Sequence, residues 1–157
     1  MLAIIGLPGE LAVMAVEGKL DESFGALVSE WLVNASTSKH RRLAQLVKTL
    51  GLDAAETGPL RYQLLHRTAS AVYEAHRYRA HAAVMMVHSF DPRDTGIEDF
   101  KRFATALGLP SADATRLVGP ITREGVDLYL GWTADRASNE GFMIVNGRKI
   151  DKGLHEE

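Results

Sequence analysis

The sequence predicts an α/β fold in which an N-terminal β-hairpin opens a sheet flanked by helices, and three observations carry that prediction. Two apolar runs, residues 2–7 and 11–16, flank Pro8-Gly9; Pro fixes φ and Gly accepts positive φ, so the pair is a turn signal between strands. A long amphipathic stretch over residues 59–79 leads into the apolar run AVMMVHSF within residues 81–90, which suits a strand covered on both faces. Residues 126–133 place Leu128 and Leu130 on one face and Tyr129 and Gly131 on the other, the two-residue period of a further strand.

The elements follow in order. After the hairpin, the acids of LDESFG precede an apolar run and favour the positive end of a helix over residues 24–34, with Ser23 or Asp21 capping it and Leu27 and Trp31 turned inward. Ser36-Thr37-Ser38 reads as a loop and cap for a helix over residues 39–50. Leu43, Leu46, Val47 and Leu50 form its apolar stripe, and Gly51 closes it. Residues 52–58 read as a turn or one helical turn. The longest helix starts at Pro59, where a missing N–H costs nothing in the first turn. On its wheel Gln63, Arg67, Ser70 and Glu74 form a polar stripe opposite Leu64, Leu65, Thr68, Val72 and Ala75. Asp91-Pro92 ends the following strand, and Thr95-Gly-Ile-Glu98 reads as a capping box ahead of a helix that Gly108 stops. Residues 109–121 hold two prolines and a glycine around a short helix. Residues 141–145 and 148–150 form a hairpin through Asn146-Gly147, a type I′ signal, and the charged tail DKGLHEE frays.

One domain accounts for 157 residues at 46% hydrophobic content. No apolar stretch nears the roughly 20 residues of a membrane span, and the N-terminus lacks a basic region before its apolar run, so a cytoplasmic protein without a membrane partner is expected. With no cysteine, any metal must be held by carboxylates, carbonyls or histidines, which fits magnesium or manganese. The net charge of −2 is unevenly spread, at −4 over residues 1–38, +5 over 39–81 and −3 over 82–157. A basic middle beside an acidic strand end suits a phosphodiester partner such as DNA; the same charges also serve to solvate two helix faces.

The second apolar run ends at Glu17-Gly18-Lys19. Side chains alternate along a strand, so Glu17 and Lys19 share a face, with Gly18 between them leaving the backbone approachable. A carboxylate beside an ammonium suits a divalent cation plus a phosphate. This arrangement resembles the E-x-K half of the PD-(D/E)XK nuclease signature. With EGKLDESFG, RYQLLHRTASAVYEA, AVMMVHSF and LYLGW, residues 10–133 look like an uncharacterised bacterial family with that fold. The resemblance implies a restriction-endonuclease-like mixed sheet and a magnesium- or manganese-dependent DNA phosphodiesterase. Glu17 would be the metal ligand and Lys19 the charge stabiliser. Gln63, on the helix after the E-x-K strand, would support the metal site. Arg67, His66 and Arg61 would contact substrate. Glu30 on the first helix is a further carboxylate that could approach Glu17.

The chain departs from the signature at one point. That site needs an aspartate on the strand paired with the E-x-K strand, yet residues 1–9 contain no Asp. A hairpin turning at Pro8-Gly9 pairs residues whose numbers sum to about 16 or 17, placing the partner of Glu17 before Met1. Either the natural chain starts upstream, with the aspartate and a leading helix, or this member never had it. Weak metal binding and poor catalysis are expected in both cases. The alternative functions are a non-catalytic nucleic-acid or protein interaction module of the same fold, as a homodimer in one version, and a small-molecule binder using the polar helix stripe.

Overall fold

The computed structural model describes residues 1–7, 10–91, 93–110, 117–135, 142–145 and 148–151. Its order is β1 (Leu2–Leu7), β2 (Glu10–Lys19), α1 (Val28–Trp31), α2 (Thr37–Leu50), a 3-10 turn (Ala54–Glu56), α3 (Tyr62–Tyr78), β3 (Ala82–Ser89), α4 (Ile97–Ala106), β4 (Val118–Arg123), β5 (Val126–Ala134), β6 (Phe142–Val145) and β7 (Arg148–Asp151). The first five strands form one mixed sheet ordered β1-β2-β3-β5-β4. Its middle three strands are parallel, and its two edges are antiparallel to their neighbours. The α/β class and the N-terminal hairpin flanked by helices are therefore as the sequence predicts. β6 and β7 pair antiparallel as a separate ribbon; the Pro8-Gly9 and Asn146-Gly147 turns and the tail from residue 152 lie outside the described residues.

One face of the sheet carries the core. Val13 and Ala15 of β2, Ala83, Met85 and Val87 of β3, and Leu128, Leu130 and Trp132 of β5 are buried in register. Onto them pack Leu64, Leu65, Ala71 and Val72 of α3 and Phe100 and Phe103 of α4. Trp132 meets Phe24 edge-on at 6.2 Å and Phe100 at 5.5 Å. Leu43, Leu46, Val47 and Leu50 of α2 are buried, as their stripe predicts. Ser36 caps that helix by accepting from the Lys39 N–H, and Gly51 ends it at φ +62. The β1–β2 register runs from Leu2 opposite Ala15 to Leu7 opposite Glu10, a constant sum at the upper of the two expected values.

Two expectations fail, the first through bonds across the chain and the second through a local one. The helix over residues 24–34 shrinks to Val28–Trp31. Gly25 turns at φ +69, and the strand-like stretch after it pairs with residues 58–62, Val28 N–H bonding Leu60 O at 2.8 Å and Tyr62 N–H bonding Ala26 O at 3.1 Å. A backbone satisfied across the chain has no need of helical bonds. The capping box at Thr95 is replaced by Gly96, at φ +96, as the residue before α4, without a side-chain cap. Residues 118–123 form strand β4, which the sequence does not predict, while residues 111–116, inside the stretch read as holding a short helix, lie outside the described residues; Gly119-Pro120 sits where the register of β4 with β5 shifts, and proline is tolerated there because the strand is an edge. The β4–β5 connection is Glu124-Gly125, with φ of +48 and +81, a two-residue positive-φ turn of the kind that suits a hairpin.

Candidate functional site at the end of strand β2

β2 presents Val13, Ala15, Glu17 and Lys19 in sequence on its helix-covered face, so an apolar strip becomes a charged one beneath the start of α3. α3 begins at Tyr62, three residues later than the start expected at Pro59, with Arg61 before its first turn. That places Gln63 over Lys19 and Glu17. The Gln63 side-chain carbonyl accepts from Lys19 Nζ at 3.0 Å, and its amide donates to Glu17 Oε1. Lys19 Nζ also lies 3.3 Å from Glu17 Oε1, donates to the Ser23 carbonyl at 3.3 Å and sits 4.9 Å above the Phe24 ring. One turn further along α3, Arg67 Nε donates to Glu17 Oε2 at 2.9 Å. Lys19 is only 4% exposed and Glu17 11%, while the Arg67 side chain is 48% exposed. A buried ammonium beside a largely covered carboxylate is tolerable because each finds its counter-charge and hydrogen bonds within the group.

Four of the six site residues read from the sequence therefore converge: Glu17, Lys19, Gln63 and Arg67. Two do not join them. The Arg61 guanidinium is engaged with Asp99 of α4 at 2.8 Å and the Gly25 carbonyl at 2.7 Å, a tie between α3, α4 and the loop after β2. His66 stacks beside Tyr62 at 6.0 Å, and Tyr62 in turn stacks on Trp31 at 4.0 Å. Burial first, then the positive charges of Arg67 and Arg42, hold the His66 imidazolium below its ordinary 6.5. Glu30 stays on its own helix end, accepting from the Leu27 N–H at 2.8 Å.

Sequence reasoning missed Glu22 and Phe24. Glu22 Oε1 lies 3.9 Å from Lys19 Nζ, and the N–H groups of Glu22 itself and of Leu20 hold its carboxyl below the usual range. Phe24 forms the floor under Lys19. The signal available was distance along the chain: a turn within four residues of Lys19 must bring its own groups back to that lysine.

The donor set bears directly on a divalent cation. Glu17 is the carboxylate bridged by Gln63, and both of its oxygens are already bonded, to Lys19 and Gln63 on one side and Arg67 on the other, while Glu22 stays exposed at the rim. Among the described residues no three His, Asp or Glu side chains gather to hold a metal. The position opposite Glu17 in the hairpin register is the one before Met1, since Met1 itself pairs with Val16 through bonds of 2.8 and 2.9 Å. The residues present thus make an ion-paired cluster in which a divalent cation would share Glu17 with Lys19, Gln63 and Arg67.

No helix among the described residues is long and apolar enough to cross a membrane. No curated protein and no solved structure matches the chain. A family model described as a domain of unknown function (DUF6946) matches residues 1–137, and the chain belongs to that family.

Proposed function

We propose that this is a cytoplasmic PD-(D/E)XK-like, restriction-endonuclease-like domain of magnesium-dependent DNA nuclease ancestry, whose cleavage is impaired in the chain as it stands. One observation carries the reading: the Gln63 side chain bridges Glu17 and Lys19 at the end of β2, from the helix that follows that strand. An amide that accepts from the ammonium and donates to the carboxylate fixes both groups on one side of the sheet.

In this reading Glu17 is the ligand a magnesium or manganese ion would take, and the ion would supply activation of water when bound. It would have to compete with the Lys19 ammonium and the Arg67 guanidinium for that carboxylate, which supports weak affinity. Lys19 is held rigidly and offers charge to a phosphate oxygen. Arg67, half exposed, can release Glu17 and turn its planar fork to a phosphate. A non-catalytic nucleic-acid or protein interaction module of the same fold is favoured by a separate observation: both Glu17 oxygens are already bonded within the chain.

Plasmid nicking in manganese, followed on agarose alongside duplex binding by anisotropy, tests the reading. Slow nicking that Glu17→Ala and Lys19→Ala both abolish supports a residual nuclease. Binding without nicking moves the chain to the interaction module. Nicking that those variants leave unchanged contradicts the nuclease site, and no DNA binding at all contradicts both the nuclease and a nucleic-acid module.

A further inference from the structure

A second concave surface lies beyond the first, between α2 and α3. It is a cleft of about 310 Å³ lined by Arg42, Gln45 and Leu46 of α2 and His66, Ser70 and Tyr73 of α3. Ser70 also lines a neighbouring cleft of about 300 Å³ with Arg67, Glu74, Ala15 and Val16. The two surfaces therefore adjoin at Ser70 on the polar stripe of α3, and Arg67, which bonds Glu17, lines the second of them one helical turn from Ser70.

The chemistry of the α2–α3 cleft is one-sided. Leu46 forms an apolar base, and the Tyr73 hydroxyl is taken by Thr49 at 3.0 Å. Ser70 gives its proton to the His66 carbonyl at 2.8 Å, which leaves oxygen lone pairs but no free donor there. The free donors are the Arg42 guanidinium, the Gln45 amide and the His66 imidazole. Among the described residues no carboxylate pairs with Arg42, whereas Arg61, Arg67, Arg93 and Arg102 are each paired with one. Glu74 is the acid nearest along the stripe, and Arg77 engages it at 3.5 Å. A guanidinium without a counter-charge, beside an amide and an imidazole in a hollow of this size, matches a tetrahedral oxyanion bound bidentately.

We propose that the α2–α3 cleft, through Arg42, Gln45 and His66, binds a backbone phosphate of a nucleic-acid strand whose neighbouring phosphate lies at Arg67. This rests on the DNA-binding part of the reading above but not on cleavage. Burial first, then the charges of Arg67 and Arg42, lower the basicity of His66, and a phosphate beside those guanidinium groups would raise it.

The test uses the full chain with inorganic phosphate and with a dye-labelled ten-residue oligothymidylate. The His66 Cε1 resonance is followed through pH titrations, and oligonucleotide affinity through anisotropy across a salt series. Phosphate is expected to move that resonance and raise the His66 pKa. The oligonucleotide should bind more tightly than phosphate does. Arg42→Ala should abolish the His66 response, weaken the oligonucleotide on the order of tenfold and flatten the log–log salt slope by about 0.7. Arg41→Ala removes the same charge from the exposed side of α2 and should leave the His66 response intact. Equal behaviour of the two variants, or a silent His66, overturns the site. An oligonucleotide no tighter than phosphate overturns the strand and leaves a free phosphate as the ligand. Loss of nicking with an intact Arg42 response removes the nuclease reading alone.

Discussion

Two polar groups close neighbouring strands of the sheet, and they solve the same problem by different means. Lys19 and Ser89 are partners in the β2–β3 register. Just beyond Ser89, Asp91 is buried, and its carboxylate accepts from the N–H groups of Arg93 at 2.9 Å and Thr95 at 3.1 Å. Every partner of Asp91 lies within four residues. Glu17 is instead matched by Gln63 and Arg67, far along the chain on another element. A turn carboxylate satisfied by its own loop needs no explanation beyond chain reversal. A charge group assembled from a strand and a distant helix orders side chains at an entropic cost that backbone closure does not require, and this distinction singles out the β2 end as the functional candidate.

The comparison predicts graded losses. The largest belongs to Lys19→Ala, which empties a buried position and leaves the partly covered Glu17 carboxylate with less compensation, and should cost about 3 kcal/mol in urea unfolding. The double variant Lys19→Ala with Glu17→Gln should recover part of it, with a coupling of about 1–3 kcal/mol. Strict additivity would show that the two charges stand apart. Asp91 comes next and is read by pH. The Thr95 hydroxyl first, then the Arg93 N–H, hold its carboxyl well below the ordinary 3.8. The unfolded chain therefore takes up this proton before the folded one, so its stabilisation is whole above about pH 4 and falls away in acid. Asp91→Asn should be less stable than the parent at neutral pH and should show a shallower acid limb in thermal melts. Arg67→Ala should cost no more than about 1 kcal/mol, because its pair with Glu17 is half exposed. Its loss should fall on oligonucleotide affinity; a large stability loss with unchanged binding would recast Arg67 as structural.

The same contrast explains what could be read from the chain. Glu17, Lys19, Gln63 and Arg67 were legible because each sits in a regular element, where a period of two or of 3.6 fixes the face before any fold is known. The hairpin register was legible for the same reason. Glu22 and Phe24 were not, because they lie on an irregular return loop whose path depends on the bond between residues 24–29 and 58–62. The failed helix over residues 24–34 has that cause too. Strand β4 was hidden by Gly119-Pro120, which reads as loop unless the neighbouring edge is already in place. At Thr95 the local motif was sound, but Asp91 reached the Thr95 N–H first.

The proposed phosphodiesterase reading of the β2 end turns on whether a carboxylate opposite Glu17 completes a metal site. Calorimetric titration of manganese into an N-terminally extended chain, with Asp directly before Met1, addresses it most directly. Binding should be at least tenfold tighter than to the unextended chain and should be lost again on Glu17→Ala. Equal affinity with and without that Asp, or tight binding that survives Glu17→Ala, would contradict it.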